Sequence, residues 1–128
     1  MLDKKYKILM IEDDLDQIQL YGAKFRLENY NFDFSETGEE GYKKSIEQKP
    51  DIILLDVVLY DSGGVEILKK LKQDQRTKNI PVVVFSNLDK RELVDKALKL
   101  GAIDYIIKSK VVPAEIVKKV AEIAKRIK

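Results

Sequence analysis

The sequence predicts an α/β fold in which a parallel sheet carries helices on both faces. Three observations point there. Five strand-like runs alternate with five helix-like segments along the 128 residues. Four of the five runs are continuous and aliphatic, the mark of strands covered on both faces. The connections are short, with no repeat, low-complexity tract or linker between elements, so each strand–helix–strand unit should close as a right-handed crossover.

Each element has its own signal. The first strand is KILMIE at 7–12. The helix after it opens on a candidate capping box, Asp14-x-x-Gln17, and should bury Ile18, Tyr21, Gly22 and Phe25. The second strand, NFDFS at 31–35, alternates polar with apolar and so reads as a half-exposed edge. Thr37-x-x-Glu40 opens the second helix. The third strand, IILLD at 52–56, lies in the apolar run from Ile52 to Leu59, bounded by Pro50 on one side and Asp61-Ser62-Gly63-Gly64 on the other. PVVVF at 81–85 is the fourth strand. The helix behind it is predicted to start at Asp89-x-x-Glu92, bury Leu93, Ala97 and Leu98, and stop at Gly101. YIIK at 105–108 is the fifth strand. The last helix opens at Pro113 and carries Ile116, Val117, Val120, Ile123, Ala124 and Ile127 on one stripe. Residues 1–128 are thereby expected to form a single domain.

Composition narrows the chemistry. The formal net charge is +2, so electrostatics give no argument for nucleic acid. No apolar stretch reaches the roughly 18 residues of a membrane span, and the N-terminus lacks the long apolar segment of a signal peptide. The absence of cysteine rules out disulfides and thiolate metal sites and permits a cytoplasmic location. The absence of histidine rules out a histidine base, a histidine metal ligand and a phosphohistidine within the chain.

In an open parallel sheet the functional crevice lies beyond the carboxyl ends of the strands. The first strand ends in Glu12-Asp13-Asp14, the third in Asp56, the fourth in Ser86 and the fifth in Lys108. Each residue alone has a structural explanation: Asp14 as a helix cap, Asp56 and Ser86 as loop caps, Lys108 as a surface lysine. Together they converge as complementary chemistry on one sheet edge. Clustered carboxylates raise one another's pKa unless a cation intervenes. Oxygen-only ligands favour a hard ion, and a few carboxylates with retained waters suit Mg²⁺. Lysine and hydroxyl groups can hold phosphoryl oxygens. This set is equipment for phosphoryl transfer with Asp56 as the carboxylate nucleophile, which gives a reason for an aspartate at the end of an aliphatic run.

With these residues in view, the sequence resembles the receiver domain of bacterial response regulators over residues 6–127. The matching set is Glu12-Asp13, Asp56, Gly64 eight residues beyond it, Ser86 thirty beyond it, and GAIDYIIK ending in Lys108. The resemblance implies a flavodoxin-like (βα)5 three-layer sandwich with a parallel five-stranded sheet of order 2-1-3-4-5. It implies that Asp56 takes a phosphoryl group from a phosphohistidine on a histidine kinase or histidine phosphotransfer protein. Asp13, Asp56 and the Val58 carbonyl would ligate Mg²⁺, with Glu12 acting through water; Ser86 and Lys108 would bind the phosphoryl oxygens. Tyr105 would be the aromatic switch signalling to a downstream protein target, with a phosphorylation-dependent dimer as one output. Val58 and Leu88 occupy the positions that modulate the lifetime of the modification. Such a cytoplasmic module catalyses only its own phosphorylation and dephosphorylation and is not otherwise an enzyme.

Three positions depart from the family pattern: Tyr60 and Ser109 stand where prolines are common, and Asn87 where a smaller residue is usual. Ser109 makes a cis peptide after Lys108 unexpected. Two other readings compete. A Mg²⁺-dependent aspartyl-phosphate phosphatase would use Asp14-Leu15-Asp16, which here fall at a helix start rather than a strand end. A phosphorylation-independent adaptor on the same scaffold should have lost Asp56, Lys108 or the acidic pair, and all are present. Direct DNA binding is not expected, since no helix-turn-helix follows the fifth helix.

Overall fold

The aliphatic runs become a five-stranded parallel sheet because both of its faces are covered. The computed structural model describes residues 6–59 and 63–127. Its elements run β1 (Lys7–Ile11), α1 (Leu15–Leu27), β2 (Asn31–Ser35), α2 (Gly38–Gln48), β3 (Ile52–Leu55), α3 (Gly64–Gln73), β4 (Val82–Ser86), α4 (Arg91–Leu100), β5 (Asp104–Ile107) and α5 (Pro113–Arg126), with a 3₁₀ turn at Lys108–Lys110 between β5 and α5. The sheet order is β2-β1-β3-β4-β5, all parallel. This is the predicted flavodoxin-like architecture.

The pleat divides the core into two. Ile8, Met10, Ile52, Leu54, Val83 and Phe85 face the layer of α1 and α5, where they meet Tyr21, Phe25, Ile116 and Val120. Leu9, Ile11, Ile53, Leu55, Val82 and Val84 face the other layer, meeting Ile67, Leu68, Leu71 and Ala97. Alternate residues of one strand thus feed opposite cores. A continuous aliphatic run is the sequence consequence.

The edges differ from the centre. β2 lies at the edge as expected, but its burial does not alternate strictly: Phe32 and Ser35 are buried while Asp33 and Phe34 are half-buried. The aliphatic run of β5 predicts burial on both faces like the central strands, yet all four of its residues are half-buried. Among the described residues it pairs only with β4, which leaves one flank without a strand partner, and Lys108 lies just past the strand in the 3₁₀ turn.

Helix starts follow the predicted chemistry twice. The Asp14 carboxylate accepts from the Asp16 and Gln17 N–H groups, and Thr37 Oγ1 accepts from Glu40 N–H. Asp89 does not cap α4, which starts at Arg91 behind Lys90 with no side-chain cap. Both main-chain groups of Leu88 are taken by Ser86 and Tyr105, which holds the chain in a loop past Asp89. Leu98, expected in the core, is 43% exposed, and Ala97 is the buried residue of α4. Ile127 likewise stands 41% exposed just beyond α5.

Gly101 ends α4 at φ +117°, a conformation that side chains oppose. The Tyr60 departure lies outside the described residues.

Candidate functional site

Main-chain pairing continues one residue past β1 and β3 and fixes the acids there. Glu12 N–H donates to the Ser35 carbonyl at 2.9 Å, and Asp56 N–H donates to the Ile11 carbonyl at 3.0 Å. Gly64 closes the loop behind Asp56, its N–H reaching the Val57 carbonyl at 3.0 Å. A Cβ at Gly64 would lie 2.3 Å from both the Asp56 carbonyl oxygen and Val57 Cα. The glycine singled out in the sequence is therefore required by close backbone approach, independent of chemistry.

Lys108 is the centre of the site. Its Nζ donates to Glu12 Oε1 at 2.5 Å and to Asp56 Oδ2 at 2.9 Å. The lysine side chain is 12% exposed and Glu12 2%, while its ammonium also lies 5.7 Å from the Phe85 ring centroid. Asp56 Oδ1 accepts from Val58 N–H at 2.9 Å, and Glu12 Oε2 accepts from Asp14 N–H at 3.2 Å. Two carboxylates thus share one ammonium in a poorly solvated place. Burial pushes the Glu12 carboxyl up to about 7, against the opposing pull of Lys108 and with a further push from Asp56. Burial would depress Lys108, but hydrogen bonds to Glu12 and Asp56 outweigh it and hold the ammonium above its ordinary value. The site carries an excess of negative charge, a reason for it to attract a cation.

Ser86 ends β4, 1% exposed. Its Oγ accepts from Leu88 N–H at 3.2 Å, and the Leu88 carbonyl accepts the Tyr105 hydroxyl at 2.6 Å. Leu88 therefore joins Ser86 to Tyr105 through its main chain, a link that its residue type does not announce. Burial raises the Tyr105 hydroxyl pKa, with Ser86 opposing. Val58 and Leu88 stand 53% and 39% exposed. The structure thus joins Glu12 and Asp56 through Lys108 and links Ser86 to Tyr105 through Leu88. Asp13 is exposed at the end of β1. Asp14 is committed to capping α1.

Among the described residues no three acidic groups gather as a ready-made metal cage. A Mg²⁺ ion that keeps several waters needs only one or two carboxylates, and the oxygen-only donors at this edge, carrying surplus negative charge, fit such an ion.

Two of the three sequence departures meet. Asn87 Oδ1 accepts from Ser109 N–H at 2.8 Å. That donor exists because residue 109 is not proline, and no peptide among the described residues is cis. Their adjacency follows from the sheet order, since each comes directly after a candidate site residue at the ends of neighbouring strands.

Among the described residues no helix is long and apolar enough to cross a membrane. A family model described as response regulator receiver domain matches residues 8–121. Response regulator ArlR of Staphylococcus saprophyticus is 34% identical over 104 residues, covering 80% of this chain and 45% of that protein. The phosphate regulon transcriptional regulatory protein PhoB of Pseudomonas aeruginosa is 27% identical over 119 residues, covering 93% of this chain and 52% of that protein. The chain spans about half the length of these curated relatives. Among solved structures, a two-component response regulator from Clostridium difficile superimposes with a TM-score of 0.89 at 27% identity, covering 96% of this chain and 98% of that one. The receiver domain of the Francisella response regulator 1452 does so with a TM-score of 0.88 at 27% identity, covering 97% and 100%.

Proposed function

The chain belongs to the response regulator receiver family of two-component signalling, and from that premise we propose that Asp56 is its phosphoacceptor. The observation that carries this reading is the Lys108 ammonium bridging Asp56 and Glu12 at the carboxyl edge of the sheet. An aspartate with an ammonium at one oxygen is a carboxylate prepared for an incoming anion. An Asp56 oxygen attacks the phosphorus of a phosphohistidine on a partner kinase or phosphotransfer protein. The O–P bond forms, the P–N bond breaks, and the leaving imidazole nitrogen takes a proton. Lys108 and the Ser86 hydroxyl then hold phosphoryl oxygens by charge-assisted hydrogen bonds.

Asp13, Asp56 and the Val58 carbonyl are the groups that would hold Mg²⁺, with Glu12 acting through water. A bound ion supplies charge neutralisation between the carboxylates and the phosphoryl oxygens. The protein catalyses only its own modification, and its site is a cytoplasmic one, where phosphohistidine donors are made.

Output runs through Leu88. When Ser86 turns its Oγ toward the phosphoryl group, its acceptor position for Leu88 N–H changes, and with it the Leu88 carbonyl that anchors Tyr105. A local charge thereby biases the face formed by α4, β5 and α5, which would engage a downstream protein or a second copy of the chain.

Incubation with acetyl phosphate and Mg²⁺, read by intact mass, tests the proposal. One phosphoryl increment is expected, lost in Asp56→Asn and in EDTA. Labelling that persists in either would refute it.

A further inference from the structure

We propose that Asn87 is a positioning residue whose bond to Ser109 N–H ties together the two loops that carry the phosphoryl-binding groups. The inference rests on the phosphoacceptor reading of Asp56. Strands β4 and β5 pair from Val83 with Asp104 to Ser86 with Ile107, where the main-chain ladder ends. Beyond that point no main-chain rung joins the two chains; the Tyr105 hydroxyl on the Leu88 carbonyl holds the loop after β4 but leaves residues 108–110 untied to it, and Ser86 and Lys108 sit at the parting. Asn87 and Ser109 are the residues immediately after the last strand pair and after Lys108. The bond of Asn87 Oδ1 to Ser109 N–H, at 2.8 Å, adds one rung to the ladder with a side-chain carbonyl in place of a main-chain one.

The tie has a reason to bear on function. Lys108 must bridge Glu12 and Asp56 from a short 3₁₀ turn, so the path of residues 108–110 sets where its ammonium lies. Ser86 reaches the site from the other strand. A clamp that spans both loops fixes the separation of the two groups that close on one phosphoryl group, an ordering cost that would otherwise fall on the reaction. It also leaves a defined opening: Asn87 and Ser109, with Asp14, Gln17, Tyr21 and Lys108, line a cavity of about 340 Å³ beside the site. A proline at 109 would remove the donor, and alanine at 87 the acceptor. Neither touches Asp56.

Three readouts on Asn87→Ala, Ser109→Pro and the double variant test this. In Asn87→Ala the residue-109 amide should exchange with solvent about two- to tenfold faster, the range of one net hydrogen bond; Ser109→Ala, which keeps the N–H, should leave that amide as slow as in the parent. The Lys108 ammonium protons, measured by ¹⁵N NMR, should exchange faster in Asn87→Ala and in Ser109→Pro. Phosphorylation by acetyl phosphate should slow by a similar factor in each single variant and no further in the double. Unchanged exchange at Ser109 or at Lys108, or slowdowns that multiply in the double variant, would overturn the proposal. A parent that takes up no phosphate would instead remove the phosphoacceptor reading, while the two exchange measurements still judge the tie.

Discussion

Replacing Lys108 with methionine should destabilise the protein by an amount that depends on pH, whereas Asp56→Asn should cost little. Lys108 lies between two carboxylates that are almost wholly withdrawn from water, with side-chain exposures of 2% for Glu12 and 9% for Asp56. Methionine keeps the length of the stem over Phe85 but leaves both acids without their ammonium. Removing one partner of a buried ion pair costs about 3–5 kcal/mol. Glu12 can escape part of this by binding a proton. Glu12 already holds its proton up to about 7 in the folded protein against an ordinary 4.5, and the loss of Lys108 raises it further. The sign follows: a carboxyl raised on folding carries no penalty below its unfolded value, and stability falls as pH rises from there through the folded value. Every tenfold gain in the proton affinity of the folded carboxyl is worth about 1.4 kcal/mol. In EDTA, Lys108→Met should therefore lose about 3–5 kcal/mol at pH 8 and about 1–2 kcal/mol less at pH 5. Asp56→Asn retains an acceptor for Val58 N–H and leaves one carboxylate per ammonium, so at pH 8 it should stay within about 1 kcal/mol of the parent or exceed it. Urea unfolding followed by circular dichroism at the two pH values measures all of this. A Lys108→Met cost that is the same at both, or an Asp56→Asn cost as large as that of Lys108→Met, would refute the charge-excess account of the site.

Three further outcomes are expected. Val58 and Leu88 present aliphatic, exposed side chains, unable to orient an attacking water, so phospho-Asp56 should decay faster in Val58→Asn with Leu88→Glu than in the parent; equal decay would show that water access here does not set the lifetime. Amide shifts on addition of a phosphoryl mimic should extend from Asp56 through Leu88 to Tyr105 and α4, and shifts confined to the loops around Asp56 would contradict the Leu88 linkage. At acid pH, Asp33 is held below the usual carboxylate range because Gln48, Phe34 N–H and Lys44 outweigh its burial, and Asp74 is held low by Arg76 and then Tyr42. Their contribution is complete above about pH 4 and lost as pH falls, so Asp33→Asn and Asp74→Asn should each flatten the acid limb of the stability curve.

The sheet and its layers were legible because a strand with helices on both faces has no polar face to show, and β1, β3 and β4 obey that rule. β5 misled because an edge strand can still be aliphatic: Tyr105, Ile106 and Ile107 are half-buried, with one flank lacking a strand partner among the described residues. Leu98 misled because helical spacing marks a stripe without saying how deep it sits: α4 buries Ala97 and packs Leu93 and Leu100 only partly against the core. The convergence of Glu12, Asp56, Ser86 and Lys108 could be read from strand ends alone, since parallel topology brings all carboxyl ends to one edge. What could not be read was which atoms touch. Leu88 joins Ser86 to Tyr105 through its main chain, which residue type does not reveal, and Lys108, the expected partner of Asp56, also takes Glu12. The link between Asn87 and Ser109 lay within reach, because the two departures are neighbours across β4 and β5 and a missing proline is also a new donor.

The most direct test of the central claim is to locate the modification. Borohydride reduces an acyl phosphate to the primary alcohol, so protein treated with acetyl phosphate and Mg²⁺, reduced and sequenced by tandem mass spectrometry, should read homoserine in place of aspartate at position 56 and nowhere else. Homoserine at Asp13, Asp14 or Asp51 with aspartate retained at 56, or no conversion at any position, would contradict Asp56 as the phosphoacceptor.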